Sequence, residues 1–220
     1  MAPLAGGSSW SPLELSPGGM SIVAPERREM RMRALVVVDA QNEFSPQGLM
    51  PVPGHAEAVA AIERRVEEAR AQGWPIAWIR HHNRPGNARR FLPGTWGAEF
   101  TPGFGPRPGA ETEAEFVKEV FGAFTGTGVG DWLAAREVSE VLITGFLTHM
   151  CVSTTAREAL MLDLRVAVDP EATASEPIER PGLGALSAED ARRAALLHLA
   201  DMGVELTRLP SAPAGRTPAA

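Results

Sequence analysis

The chain has one cysteine, Cys151, among 220 residues. An internal disulfide is therefore excluded, and a reducing, cytoplasmic compartment is the simple expectation. No apolar run approaches the ~18 residues needed to cross a bilayer. The N-terminus shows no basic segment followed by an apolar one, so no secretory signal is read there. Cations are not in excess either: the net charge is -6, which argues against nucleic acid as a partner. There is no internal repeat. What remains is the composition of a soluble globular protein, long enough for one domain with a sizeable core.

Apolar runs at 34–39, 75–79, 115–118, 141–146, 164–168 and 204–209 read as strands. Between them lie helical patterns. In 55–71, Val59, Ile62 and Val66 form a stripe that ends at Gly73. Residues 129–136 turn Trp132 and Leu133 inward. A third helix is expected over 151–162, and a fourth starts at the cap Ser187 and runs to about Met202, with His198 as a structural residue. Asp169-Pro170 is expected to end the fifth strand, and 177–185 to form a loop. Strands alternating with helices imply a parallel α/β sheet. Residues 1–30 are rich in Gly, Pro and Ser without periodicity and predict a mobile tail. Residues 31–209 form the domain, and 210–220 a disordered tail. The segment 84–110 is dense in Gly and Pro and carries Phe91, Trp96, Phe100 and Phe104. It is expected to be a pocket wall or lid, or else a surface excursion covering a helix.

Cys151 falls where the fourth strand turns into a helix. The first amides of a helix are unpaired donors with partial positive charge. They favour a thiolate, the reactive form of cysteine, and can hold an oxyanion. A buried structural cysteine fits the same place. Two charged residues bear on the choice. Asp39 ends the first strand and Lys118 ends the third, and sites in parallel sheets gather at strand carboxyl ends. Taken singly, Asp39 reads as a cap and Lys118 as a strand-end charge. Taken together, the three are a nucleophile, a proton carrier and a cation. The lysine and the helix amides are expected to outweigh the carboxylate and lower the thiol pKa.

Three pieces carry a resemblance: Val36-Val-Val-Asp-Ala-Gln-Asn-Glu-Phe44; Val117-Lys118 followed by Gly122-Ala-Phe-Thr-Gly-Thr127; and Thr144-Gly-Phe-Leu-Thr-His-Met-Cys-Val-Ser-Thr-Thr-Ala-Arg157. In this order the chain resembles the isochorismatase-like cysteine hydrolases over about 33–209. That superfamily includes nicotinamidases, N-carbamoylsarcosine amidohydrolases and ureidoacrylate amidohydrolases. The resemblance implies a three-layer α/β/α fold with a six-stranded parallel sheet in the order 3-2-1-4-5-6. It implies Cys151 as nucleophile, Asp39 as proton carrier, Lys118 between them, and an oxyanion hole from the amides of Leu147 and Cys151 after a cis Phe146–Leu147 peptide. It also implies a small-molecule amide, carbamoyl or ureido substrate and a homodimer or homotetramer.

The nicotinamidase branch holds a metal with an Asp-x-His pattern and a later His. Here Arg80 and Asn87-Ala88 are read at those positions, so no metal and no other cofactor is expected. Phe44, His82, Arg84, Trp96 and His149 are the candidate pocket residues, and His81 is grouped with His82 as pocket or structural. Three other readings stand beside the amidase. One is an ether hydrolase, whose branch lacks the cysteine. The others are a non-catalytic binding domain and a redox-sensing thiol.

Overall fold

The computed structural model describes residues 32–84, 86 and 88–207. The expectations for residues 1–30, for 210–220 and for Asn87 fall outside them. Strand β1 (Met32–Val38) is followed by helix α1 (His55–Gln72), strand β2 (Ile76–His81) and strand β3 (Glu113–Lys118). Helix α2 (Val129–Ala134), strand β4 (Val138–Phe146) and helix α3 (Ser153–Met161) come next. Strand β5 (Arg165–Ala174), the short pair β6 (Ile178–Arg180) and β7 (Gly184–Leu186), helix α4 (Ala188–Asp201) and strand β8 (Glu205–Leu206) complete the described chain.

The six-stranded sheet has the order β3-β2-β1-β4-β5-β8, and its pairings are parallel. The predicted order holds, with β8 in sixth place because the β6–β7 hairpin intervenes. Both faces of the central strands are buried, as expected for an all-parallel sheet under helices. Along β1 the side chains alternate between faces. Leu35 and Val37 join Ile62 and Val66 of α1, whereas Ala34, Val36 and Val38 join Leu133 of α2, Ala156 and Ala159 of α3, and Leu196 and Leu199 of α4. Burying a Leu, Ile or Val side chain stabilises by about 1.5–3 kcal/mol, so these two cores hold the central strands β1, β2, β4 and β5 in place.

Several expectations are corrected. Pro170 does not end β5. Between Ile143 and Gly145 of β4 the pairing on β5 moves from Val168 to Thr173. The extra residues loop out, and Pro170 sits among them, where no ladder donor is needed. Arg65 of α1 donates from Nε to Asp169 Oδ2 at 2.7 Å, and Asp169 Oδ1 accepts from the amide of Glu171 at 2.9 Å, which pins the bulge. The segment expected to be a loop at 177–185 contains the β6–β7 hairpin instead. The helix expected to start at Cys151 is preceded by a π-helical turn over Thr148–Val152, and α2 is two residues shorter at its end than expected. His198 is on the exposed face of α4 rather than in its packed face.

In the 84–110 segment, Phe91 is buried and Phe100 and Phe104 pack on the core beneath. Their rings meet Phe44 at 5.2 Å (Phe91) and Trp78 at 5.8 Å (Phe100) and 5.9 Å (Phe104). These aromatics are thus spent within the chain, apart from Trp96, which is 53% exposed.

Candidate active site

The carboxyl ends of β1, β3 and β4 converge. Asp39 follows β1 with φ +51°, left-handed backbone that a non-glycine residue seldom adopts. Such strain costs on the order of 1–3 kcal/mol and concentrates at functional sites. It is held by hydrogen bonds: the Asp39 amide donates to Ile79 O at 2.9 Å, and the Gln41 amide donates to Asp39 O at 2.7 Å. Gly145 of β4 lies against this corner with φ +115°, and a Cβ there would stand 1.8 Å from Val38 O. Only glycine lets β4 approach β1 this closely. The Phe146–Leu147 peptide is cis, and the π-helical turn after it carries Cys151. Thr148 shares a hydrogen bond with Thr173 at 2.9 Å and His149 shares one with Ser175 at 3.0 Å, so the far end of β5 braces the turn.

Lys118 is the hub. Its Nζ donates to Asp39 Oδ2 at 2.8 Å, to Val120 O at 3.1 Å and to Cys151 Sγ at 3.3 Å, and it stands 3.3 Å from His81 Nδ1. An ammonium has three protons, so four acceptors compete for them. Asn83 Nδ2 donates to Arg90 O, which leaves Asn83 Oδ1 to accept from His81 Nε2 at 3.0 Å. Burial first, and the Lys118 charge second, hold His81 below its ordinary pKa. His81 is therefore neutral, with its proton on Nε2 and its Nδ1 lone pair toward Lys118.

Asp39, Lys118 and Cys151 are all buried. Burial pulls the Lys118 ammonium down, but the Asp39 charge and the hydrogen bonds to Asp39 and Cys151 outweigh it and raise its pKa above the ordinary value. Burial, then the Asp39 charge, pushes the Cys151 thiol well above its ordinary value, and Lys118 offsets only part of this. The expected lowering is therefore corrected. The turn is too far from water for the lysine to win, and the resting site holds a neutral thiol beside a carboxylate and an ammonium. Asp39 Oδ1 is buried without a hydrogen-bond partner, an acceptor free to take a proton.

A cavity of about 180 Å³ opens on Asp39 and Cys151, with Lys118 buried outside its lining. Asp39, Cys151, Leu147 and Phe44 line it, as do His81, Asn83 and Arg90; Met50, Phe91, Phe121 and Met150 complete an apolar wall. Of the candidate pocket residues, only Phe44 is in the lining. His82, Arg84, Trp96 and His149 are not: Arg84 is exposed and pairs with Glu119 at 2.6 Å, and His149 is turned to Ser175. The signal that separates His81 from His82 is strand parity, since neighbouring residues of a strand face opposite sides. The register His81↔Lys118 puts His81 at the site.

Arg80 likewise faces away, pairing with Glu115 and with Glu99 at 2.9 Å and covering Phe100. The expectation that its charge stands beside the site and opposes a cation there is therefore corrected. The donor set itself does not fit a metal. Both ring nitrogens of His81 are engaged, the centre is taken by the Lys118 ammonium, and among the described residues no group of three or more His, Cys, Asp or Glu could hold one.

A thiol, a carboxylate and an ammonium thus meet at the strand carboxyl ends of a parallel β3-β2-β1-β4-β5-β8 sheet. A family profile described as the isochorismatase domain matches residues 33–211, and the chain belongs to that family. It is 34% identical over 161 residues to the nicotinamidase/pyrazinamidase of Mycobacterium tuberculosis, covering 63% of this chain and 85% of that protein. Among solved structures it is similar to an isochorismatase of Pseudomonas putida at 29% identity and TM-score 0.73, over 80% of this chain and 87% of the other. A cysteine hydrolase of Pseudomonas syringae pv. phaseolicola matches at 26% identity and TM-score 0.73, over 80% and 88%.

Proposed function

We propose that the chain hydrolyses a C–N bond of a small amide, carbamoyl or ureido compound through a thioester on Cys151. The carrying observation is the buried Lys118 Nζ, 2.8 Å from Asp39 Oδ2 and 3.3 Å from Cys151 Sγ, with Asp39 and Cys151 both in the lining of a cavity. Asp39 takes the thiol proton as Sγ attacks the carbonyl carbon. The C–S bond forms and the oxyanion is held by the amides of Leu147 and Cys151. Collapse breaks the C–N bond, and Asp39 returns the proton to the leaving nitrogen. Water, deprotonated by Asp39, then attacks the thioester, and the acid leaves as the thiol is restored.

Lys118 has two tasks. It stabilises the developing thiolate, and it keeps the buried Asp39 charge paired. A buried Lys–Asp pair is weak support for stability alone, which favours the catalytic reading over an idle binding domain. The variants Lys118→Met and Asp39→Asn separate these tasks. Loss of the ammonium is expected to move iodoacetamide labelling of Cys151 to higher pH and, by stranding Asp39, to destabilise the fold by about 3–5 kcal/mol. Asp39→Asn removes a charge that raises the thiol pKa, so labelling moves to lower pH while turnover stops. The pH dependence of labelling, recorded beside thermal melts and ammonia release, is the test. Labelling by Lys118→Met that matches wild type at every pH would remove the lysine from the mechanism.

No metal takes part in this scheme. Full activity is expected after dialysis against a chelator; loss restored by zinc, iron or manganese would overturn the proposal on this point.

A further inference from the structure

Hydrogen-bonding capacity is almost fully committed within the cavity lining. His81 is held by Lys118 and Asn83, and Asn83 is spent on His81 and on the backbone of Arg90. The walls from Phe44, Met50, Phe91, Phe121, Leu147 and Met150 offer no strong polar group. One lining residue is different. Arg90 is exposed at the rim, and among the described residues its guanidinium meets no carboxylate within ion-pair distance and donates no hydrogen bond. It carries five donors in a planar fork suited to a carboxylate. Glu43 feels the Arg90 charge, but it is buried, and that burial raises its carboxyl above its ordinary pKa with Arg90 offsetting only part.

The placement of Arg90 is fixed from the backbone. Asn83 Nδ2 donates to Arg90 O at 2.9 Å, and the Asn83 amide donates to Phe91 O at 2.9 Å. Phe91 itself has φ +55° and packs on Phe44 and His81 at 5.2 and 5.3 Å. The residue after the arginine is thus locked into the cavity wall, and the arginine is held at its mouth.

We infer that Arg90 selects substrates whose short apolar body ends in a carboxylate remote from the scissile amide. The inference rests on the amidase reading of the same cavity. A volume of about 180 Å³ has room for about six water-sized groups. The amide and a short chain therefore fill it, and the carboxylate meets Arg90 at the opening.

The test pairs succinamate with butanamide, and glutaramate with pentanamide. Ammonia release is measured together with protection of Cys151 from iodoacetamide. In wild type, kcat/KM for the carboxylated member is expected to exceed the neutral one by about tenfold or more, the worth of a charge-assisted contact. The ratio should fall to about one in Arg90→Met, be partly kept in Arg90→Lys, and shrink with added salt. Protection should follow the same order. A ratio near one in wild type, or one that survives Arg90→Met, overturns the inference while leaving the amidase reading intact. Arg90-dependent protection without ammonia from any amide supports the anchor and sinks the amidase reading. Absence of both protection and turnover overturns the inference as well.

Discussion

Replacing Cys151 with Ala or Ser is expected to lower amide turnover more than about thousandfold and to leave the fold intact. The thiol is nearly isosteric with the serine hydroxyl, and Lys118 Nζ, 3.3 Å from Sγ, can donate to an oxygen as well as to a sulfur. Structure is thus preserved while the nucleophile changes. A hydroxyl is far harder to ionise than a thiol, and this site already disfavours a second anion beside Asp39. Turnover above a few per cent of wild type, with melting unchanged, would remove Cys151 from the nucleophile's role.

Gly145→Ala should be the most damaging single methyl in the described chain. The new Cβ meets Val38 O at 1.8 Å and Val38 C at 2.7 Å, both backbone, and the residue must also keep φ +115°. Relief requires β4 to move from β1 at the point where Asp39 and the turn bearing Cys151 meet. Destabilisation of more than about 4 kcal/mol is expected, in the range reserved for broken backbone packing, or a melting temperature lower by about 8 °C or more. Gly103→Ala is the control. Its φ is +91° with nothing near the added carbon, so only the left-handed backbone cost of about 1–2 kcal/mol applies. Equal melting of the two variants would show that the close approach of β4 to β1 carries no energetic weight.

The parallel sheet was legible because buried parallel strands write continuous apolar runs, and β1 and β4 do so plainly; the strand order came from the family resemblance. Pro170 misled because a proline ordinarily stops a ladder, whereas Asp169, tied to Arg65 across 104 residues, lets β5 bulge and resume. The β6–β7 hairpin has no apolar alternation to announce it. Within the site, Asp39, Lys118 and Cys151 could be named from strand ends, and one further signal stood in the composition: Lys118 is the only lysine of the chain, as Cys151 is the only cysteine. His81 and Asn83 depended on the parity of β2, which one residue of slip reverses. Arg90 could not be distinguished from the other arginines without the backbone bonds that place it. The thiol pKa was misjudged because helix amides and a lysine are visible in sequence, but depth of burial is not.

Having one cysteine and one lysine makes the central claim open to direct measurement. Wild-type protein turning over an amide is quenched in acid, digested and weighed by mass spectrometry. The account predicts an acyl adduct on the peptide that contains Cys151, lost on treatment with hydroxylamine and absent from Cys151→Ser. Steady amide hydrolysis with Cys151 unmodified in every quench, and undiminished after complete alkylation of the thiol, would contradict it.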